Sequence, residues 1–295
     1  MIQRRAFLVY GLFFLGGCAF AQTATVQSNA TVDRPERLRF AVTDLSGAGE
    51  LEQDFGAFRQ SLEDVLGMPI EFFPVENYSA AAPALLANEL DFAMAGPSEY
   101  LLLRARANAV PIVGLTRPDY SSMVMTRVDS GIETLADLRG KTIAMRTEGS
   151  TAGHIVPMKM LMDAGLLPQQ DYEVLMLNRD AFEALETGQV DAWADSSGRY
   201  LEFVQELGTD ESIEVIARSD NLPPDVLVAN PSLGDEFIEE VRKHILDHQD
   251  QLVTALLASE ANQKYRQSEW IAVQDDDYQS LRDSYYAIGQ GSAIE

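Results

Sequence analysis

The sequence predicts an α/β protein of two lobes, each built on a mixed β-sheet flanked by helices, with two crossover hinge strands joining them. Three observations support this fold class. Short apolar strands alternate with helical patterns from Leu38 onward, which favours parallel sheets. The same alternation recurs in the middle of the chain. Two extended segments, 121–128 and 214–229, flank that middle block and are interpreted as the crossovers.

The first residues have the pattern of an export signal. Arg4 and Arg5 precede an apolar run from Ala6 to Leu15, and small residues follow. That run is shorter than the roughly 20 residues a membrane-spanning helix needs. Residues 1–21 are therefore predicted to be an export signal, and the polar segment 22–36 a flexible leader.

Two kinds of signal cleavage stay open. Leu15 to Cys18 resembles a lipoprotein box, whereas Ala19 to Ala21 resembles an ordinary peptidase site. The Arg4-Arg5 pair also leaves twin-arginine export open. Cys18 is the single cysteine, so no disulfide is expected and the fold must be stabilised by burial.

The composition is strongly acidic. The chain has 46 Asp and Glu against 22 Lys and Arg, a formal net charge of −24. This charge argues against nucleic acid or an anionic membrane as a partner. The same field would repel an anionic ligand, so such a ligand would have to be bound by hydrogen-bond donors in an enclosed site.

The first lobe is predicted from residue 37. A helix with apolar residues at core spacing should end at Gly67, and the strand 91–95 runs directly into Gly96-Pro97-Ser98-Glu99-Tyr100. The other predicted elements are strands at Leu38–Val42 and Pro69–Val75 and a helix at Ala82–Asn88.

The second lobe is predicted as residues 125–225, and the first as 37–124 together with 226–295. The C-terminal part is expected to be helical and to pack on the first lobe. In the middle block we predict strands at 142–145, 173–177 and 191–194 and helices at about 152–164 and 181–186.

One segment has the pattern of an anion site. Ser150 and Thr151 lie between a strand and a helix, with glycines at Gly149 and Gly153 and a histidine at His154. Amides at a helix start bind anions without a formal positive charge, and hydroxyls add donors. Two alternatives stay open: Ser150 or Thr151 as a plain helix cap, and His154 as an ordinary core or surface residue.

Several motifs occur in an order that resembles the phosphonate/phosphite-binding family of periplasmic proteins, the substrate-binding component of phosphonate ABC transporters. The resemblance covers roughly residues 38 to 200. It is carried by Asn77-Tyr78-Ser79, Leu90-Asp91-Phe92-Ala93 into Gly96-Pro97-Ser98-Glu99-Tyr100, Tyr120-Ser121-Ser122, Asp129-Ser130-Gly131-Ile132, Leu135 to Lys141, Ser150 to His154, and Gly188-Gln189-Val190-Asp191-Ala192.

The resemblance implies a type II periplasmic-binding-protein clamshell that closes on a phosphorus oxyanion. It implies ligand contacts from both lobes and from the hinge. These contacts would come from Ser150, Thr151 and His154 in the second lobe, from Tyr100 and Ser98 in the first, and from Ser121 or Ser122 near the hinge.

Asp195 resembles the acidic ligand residue of the family. A carboxylate accepts hydrogen bonds only, so it favours a ligand that brings a P–OH, a P–H or an ammonium group. The alternatives are that Asp195 caps the helix after Ser196 and that Tyr100 is a half-buried core ring.

The sequence departs from the family pattern at three places. Ala152 stands where serine is frequent, and Asn178 and Arg179 stand where relatives often have Ser-His. The loop 43–47 has no aromatic residue of the kind that lines the amine side in aminoalkylphosphonate binders. Phosphite, methylphosphonate and phosphate therefore all stay open, as does an inward-pointing Arg179 that would clamp an anion.

The function implied is a periplasmic solute-binding protein, soluble or lipid-anchored through Cys18, that delivers its ligand to an ABC permease in the inner membrane and acts as a monomer. An accessory sensor for a membrane histidine kinase is the alternative. No motif combines a nucleophile with a base, so no enzyme is predicted. We also expect no cofactor and no metal, since His244 and His248 lie beside Asp247 and Asp250 on a solvated helix face.

Overall fold

The computed structural model describes residues 34–45, 47–76, 80–207 and 212–295. The export signal, Cys18, most of the leader and the Asn77-Tyr78-Ser79 motif lie outside these residues. Within the described residues no helix combines the length and hydropathy that crossing a membrane requires.

The described strands form two sheets. The first sheet has the order β11-β4-β10-β3-β1-β2 and the second the order β7-β6-β8-β5-β9. In chain order the strands are β1 (Leu38–Val42), β2 (Ile70–Phe72), β3 (Phe92–Ala95), β4 (Val110–Leu115), β5 (Ser122–Arg127), β6 (Lys141–Met145), β7 (Tyr172–Met176), β8 (Ala192–Ser196), β9 (Ile213–Arg218), β10 (Asp225–Ala229) and β11 (Trp270–Ile271).

Helices connect and cover these strands. A π-helical turn, Thr151–Ile155, leads directly into the fourth α-helix. The α-helices are α1 (Ala48–Leu66), α2 (Ala81–Leu86), α3 (Pro97–Ala107), α4 (Val156–Asp163), α5 (Ala181–Glu186), α6 (Ser197–Leu207), α7 (Asp235–Asp247), α8 (Gln249–Leu256) and α9 (Gln279–Ala287).

The strand directions bring particular segments to one edge of each sheet. In the first sheet β2, β1 and β3 are parallel to one another. Strand β10 is antiparallel to β3, β4 is antiparallel to β10, and β11 is antiparallel to β4. The carboxyl ends of β1, β3 and β4 therefore lie at the same edge as the starts of β10 and β11. We call this the first edge.

The second sheet is arranged in the same way. Strands β7, β6 and β8 are parallel, β5 runs opposite to β8, and β9 runs opposite to β5. The carboxyl ends of β6, β8 and β9 thus lie with the start of β5 at what we call the second edge. Ligands of open α/β sheets bind at such edges.

The chain passes between the sheets twice, through residues 116–121 and 219–224. Leu222-Pro223-Pro224 lies in the second passage and separates β9 from β10. The expected end of α1 is confirmed, since Gly67 takes a left-handed conformation at φ 67° and its N–H donates to the Glu63 carbonyl. The strand predicted at 69–75 is shorter, because only Ile70 to Phe72 pair with β1.

The first sheet buries an aromatic core under α1. The rings of Phe40 and Phe58 lie 5.9 Å apart, and Phe58 stacks on Trp270 at 6.0 Å. The second sheet has a separate aromatic core, in which Phe182 and Phe203 stack at 4.6 Å beside Trp193. Each sheet therefore has its own apolar layer.

The C-terminal helices do not all pack on one sheet. Helices α7 and α8 pack against α1, and α7 also packs against β4, as expected for the first lobe. Helix α9 packs against both α3 and α4. The apolar side chains of Tyr278, Leu281 and Tyr285 there share one buried cluster with Ile155 and Val156, which follow β6 of the second sheet.

Candidate functional site

The segment after β6 forms an irregular helix start at the second edge. Gly149 has φ 86°, a conformation that favours glycine. The N–H groups of His154 and Ile155 both donate to the carbonyl of Ser150, at 3.0 and 2.9 Å, which makes the first turn π-helical. Such turns are frequent at functional sites. The side chain of Ser150 makes no capping bond, so the plain-cap interpretation is not observed for it.

Thr151 joins this helix start to the first edge. Its Oγ1 accepts the Ser98 N–H at 3.1 Å and lies 2.7 Å from the Ser98 hydroxyl. The Ser98 hydroxyl donates to the Gly149 carbonyl at 2.6 Å, so the Thr151 hydroxyl must donate to Ser98. We call these three bonds the helix-start clasp. The clasp brings together Ser98 and Thr151, two of the residues predicted to share a ligand.

His154 is buried and has a defined tautomer. The Gly149 N–H donates to His154 Nδ1 at 3.1 Å. The proton of a neutral ring therefore resides on Nε2, which is a donor. Burial lowers the pKa of His154, although the charge of Glu148 opposes the shift. His154 thus remains an uncharged donor at neutral pH.

Asp195 ends β8 at the second edge and is only 1% exposed. Its Oδ1 accepts the N–H of Ser196 at 2.7 Å, while Oδ2 has no hydrogen-bond partner. Burial raises the pKa of Asp195, although the charge of Arg146 and the hydrogen bond from the Ser196 N–H act to lower it. The Ser196 hydroxyl accepts the Arg199 N–H at 3.2 Å, which is the capping contact of α6. An unpaired oxygen on a buried carboxyl group is costly unless a further partner arrives.

The two hinge serines have structural partners. The Ser122 hydroxyl donates to the Ala152 carbonyl at 2.7 Å, which holds the π-helical turn from β5. The Ser121 hydroxyl accepts from Nε of Arg218 at 2.8 Å, which ties the first passage to the end of β9. Both residues lie at the hinge. A direct ligand contact from either one stays a prediction.

Tyr100 lies in the apolar cluster under α9. Its ring packs on Tyr278 with a centroid distance of 4.6 Å. Its hydroxyl donates to the Asp275 carboxylate, which also accepts from Arg282. Burial and the Asp275 contact raise the pKa of Tyr100. A ligand contact from Tyr100 would require this bond to break, and it stays a prediction.

Two further sequence expectations concern exposed residues. Asn178 and Arg179 follow β7 and are both exposed, so the structure does not show an inward clamp from Arg179. His244 and His248 stack at 6.2 Å on α7 and its end, where His248 Nδ1 lies 2.8 Å from the His244 carbonyl oxygen. Among the described residues no group of His, Cys, Asp and Glu has metal-binding geometry.

Sequence reasoning missed a charged network at the first edge. Asp225 begins β10, accepts the Tyr265 hydroxyl at 2.7 Å, and lies 3.5 Å from Arg117. The Arg117 guanidinium stacks 3.7 Å over the ring of Tyr120. Lys264 Nζ lies 3.5 Å from the carboxylate of Asp44, which follows β1. No motif marks these residues, because they come from four segments that only the topology brings together.

Glu99 lies in the first turn of α3, next to the helix-start clasp. Burial, together with the charges of Asp44 and Asp225, raises the pKa of Glu99 to about 8. The carboxyl group is therefore largely protonated at neutral pH. Protonation removes one negative charge from the first edge.

Arg146 follows β6, and its charge acts on a carboxylate of each edge, Asp44 and Asp195. A Cβ on Gly153 would lie 2.6 Å from the Cβ of Arg146, so only glycine allows the helix start to pack this closely. Burial opposes ionisation of Asp44, but the charges of Lys264, Arg146 and Arg117 outweigh it and lower the pKa of Asp44. The charge of Arg146 also acts on Asp195.

Comparisons with known proteins agree with this arrangement. Residues 40–278 match the family described as the periplasmic substrate-binding protein of phosphonate ABC transporters. The phosphate-import protein PhnD of Mycolicibacterium smegmatis is 22% identical over 234 residues, which is 73% of each chain. The phosphonates-binding periplasmic protein of Escherichia coli K12 is 22% identical over 238 residues, 76% of this chain and 70% of that protein.

A solved structure has the same fold. PhnD1 from Prochlorococcus marinus (MIT 9301), in complex with methylphosphonate, superposes with a TM-score of 0.69 at 17% identity, covering 87% of this chain and 100% of that one. The two mixed sheets are thus the lobes of a type II periplasmic-binding-protein clamshell. The resemblance seen in the motifs is confirmed, and the chain belongs to the family of periplasmic substrate-binding proteins of phosphonate ABC transporters.

Proposed function

We propose that this protein is an exported receptor that captures a small phosphorus oxyanion between its two lobes and presents the closed form to an ABC permease of the inner membrane. It acts as a monomer in the periplasm, free or anchored through Cys18. The family membership supports the transport role. The capture of a phosphorus oxyanion by this chain is supported by the site itself.

The observation that carries the proposal is the helix-start clasp. Thr151 and Ser98 come from the two edges, and both are buried. A ligand oxygen placed between the edges would accept from the first amides of the π-helical turn. The Thr151 hydroxyl would donate to it as well by exchanging Ser98 for the ligand as its acceptor. The Nε2–H of His154 and the hydroxyl of Ser150 are further donors at the same helix start.

Asp195 supports a ligand that shares a proton. Its Oδ2 is buried without a partner, and burial favours the protonated carboxyl group. A phosphonate or phosphate monoanion and Asp195 can share one proton in a single O–H···O bond. Sulfate brings no proton at neutral pH, so it fits only molecules in which Asp195 is itself protonated, whereas a phosphorus anion that carries a P–OH also fits the ionised form. Sulfate is therefore expected to bind more weakly.

Isothermal titration calorimetry of the chain without residues 1–21 tests the proposal. The ligands are methylphosphonate, phosphite, phosphate, aminoethylphosphonate and sulfate. We expect binding at micromolar concentration or tighter for at least one phosphorus anion, since several charge-assisted bonds of about 1.5–3 kcal/mol each are available. The absence of heat for every phosphorus anion, or a clear preference for sulfate, would refute the proposal.

A further inference from the structure

Three cations converge at the two edges. Arg117 follows β4, Lys264 precedes β11, and Arg146 follows β6. Lys264 Nζ lies 3.5 Å from the Asp44 carboxylate and 5.0 Å from the ring centroid of Tyr265. The Tyr265 hydroxyl donates to Asp225, which lies 3.5 Å from Arg117. Burial favours the neutral form of Asp44, but the charges of Lys264, Arg146 and Arg117 outweigh it and lower the pKa of Asp44. The Asp44 side chain is 39% exposed, so solvent reaches this position even though protein surrounds it.

This cationic group adjoins the helix-start clasp. The main-chain N–H of Arg146 donates to the Gly153 carbonyl at 3.0 Å, inside the π-helical turn. Arg117 stacks on Tyr120, two residues before Ser122, and the Ser122 hydroxyl donates to the Ala152 carbonyl of the π-helical turn at 2.7 Å. Arg117, the Tyr120 ring and the helix start are therefore neighbours.

We propose that Lys264, Arg117 and Arg146 form a cationic recess that attracts the negative charge of the ligand, and that Asp44 is the resident carboxylate that competes with the ligand for it. The inference rests on the proposed function, because it assigns the ligand class of the same cleft. An oxyanion without an ammonium group fits the recess. A ligand ammonium group would lie among three cations, with Asp44 already engaged by Lys264 and Asp225 by Arg117.

The recess also explains how a strongly acidic protein can bind an anionic ligand. With a formal net charge of −24, the protein repels anions at long range. Lys264 and Arg117 are 27% and 14% exposed, so they are partly shielded from salt and act over a short distance. The recess therefore offers positive charge only where the ligand is desolvated.

Asp44→Asn tests the recess because it keeps the side-chain shape and removes the competing charge. At an effective dielectric constant near 20 and a separation of about 7 Å, one unit charge changes affinity by about tenfold or more. We expect Asp44→Asn to bind methylphosphonate at least about tenfold more tightly than the unchanged protein, with a smaller gain at high salt. Asp64→Asn, on the exposed face of α1, makes the same change in net charge and is the control.

Lys264→Met is the second variant. We expect it to bind methylphosphonate about tenfold more weakly, whereas Lys243→Met, whose side chain is 77% exposed on α7, should bind as the unchanged protein does. The unchanged protein should also prefer methylphosphonate to aminoethylphosphonate. Circular dichroism of each variant establishes that it is folded.

The outcomes separate the two proposals. If the unchanged protein binds a phosphorus anion but Asp44→Asn binds it equally or more weakly, the recess is refuted and the receptor function stands. If only Asp44→Asn binds, the recess stands and the receptor function is refuted. If neither protein binds any of the anions, both are refuted. Tighter aminoethylphosphonate binding by the unchanged protein would assign Asp44 to an ammonium group instead.

Discussion

The first and second edges meet at one place but bind by different physical means. The second edge presents neutral donors from a single stretch of chain, Ser150 to His154, with Asp195 beside it. The first edge presents ionised side chains, among them Asp44, Arg117 and Asp225, which come from separate segments. One edge depends on backbone geometry, and the other on balanced charge.

The difference shows how an acidic protein of this kind can bind an anion. Amides and hydroxyls at a helix start have a direction and fix the position of ligand oxygens. Charges are less directional and set how much negative charge the site tolerates. The contrast predicts that breaking the buried Arg117–Asp225 pair of the first edge lowers stability more than removing a single hydroxyl from the helix start of the second edge.

The largest effect is expected from Arg117→Met. The change leaves Asp225, which is 4% exposed, with the Tyr265 hydroxyl and no adjacent guanidinium. Breaking a buried ion pair in this way costs about 3–5 kcal/mol in the free energy of unfolding. Urea denaturation followed by circular dichroism measures it. Arg179→Met, at an exposed position of the second lobe, is the control and should change stability by less than about 0.5 kcal/mol. A loss below about 1 kcal/mol for Arg117→Met would remove the contrast between the edges.

An intermediate effect is expected from the helix-start clasp. Thr151→Val keeps the side-chain volume but removes the hydroxyl, and Ser98→Ala removes its partner. Because the two side chains share one hydrogen bond, their effects on unfolding should be non-additive, with a coupling of about 0.5–3 kcal/mol in a double-mutant cycle. Additive losses would show that the clasp is absent in solution. Methylphosphonate affinity should fall in Thr151→Val by about 1–3 kcal/mol.

The remaining effects concern pH, and they have opposite signs at the two edges. Burial and neighbouring carboxylates raise the pKa of Glu99 to about 8 from its ordinary 4.5, so the stability it contributes is complete below 4.5 and is lost as pH rises through 8. The lowered pKa of His154 has the reverse consequence: its contribution is complete above 6.5 and is lost as pH falls. Unfolding free energies from pH 5 to 8 measure both. Glu99→Gln should flatten the alkaline decline and His154→Gln the acidic decline; equal slopes in variant and unchanged protein would contradict these assignments.

The fold was largely accessible from sequence patterns. Strand β1 and the left-handed end of α1 at Gly67 follow from local periodicity and from one glycine, and both are confirmed. The motif order also indicated the family. Strand β2 was overestimated because pairing with β1, which local sequence does not encode, determines its length.

The site was accessible only in part. Thr151 and His154 belong to a contiguous motif, so their proximity needs only a strand followed by a helix. Arg117 and Lys264 have no local signal, because their meeting depends on strand order in the first sheet. The hydrogen-bond partner of Tyr100 could not be predicted from the sequence, because Asp275 lies 175 residues away and only the tertiary fold brings it to Tyr100.

Helix α9 favours the arrangement in which the two lobes are in contact. Its side chains Leu281 and Tyr285 are packed in one cluster with Ile155 from the second lobe. Separating the lobes without moving α9 would expose that shared apolar surface to water. The exposure costs about 25 cal/mol of free energy for each square ångström of apolar surface. Ile294 belongs to the same cluster, so an affinity tag next to it would lie near this apolar contact, and an N-terminal tag is the safer choice for measuring how readily the lobes separate.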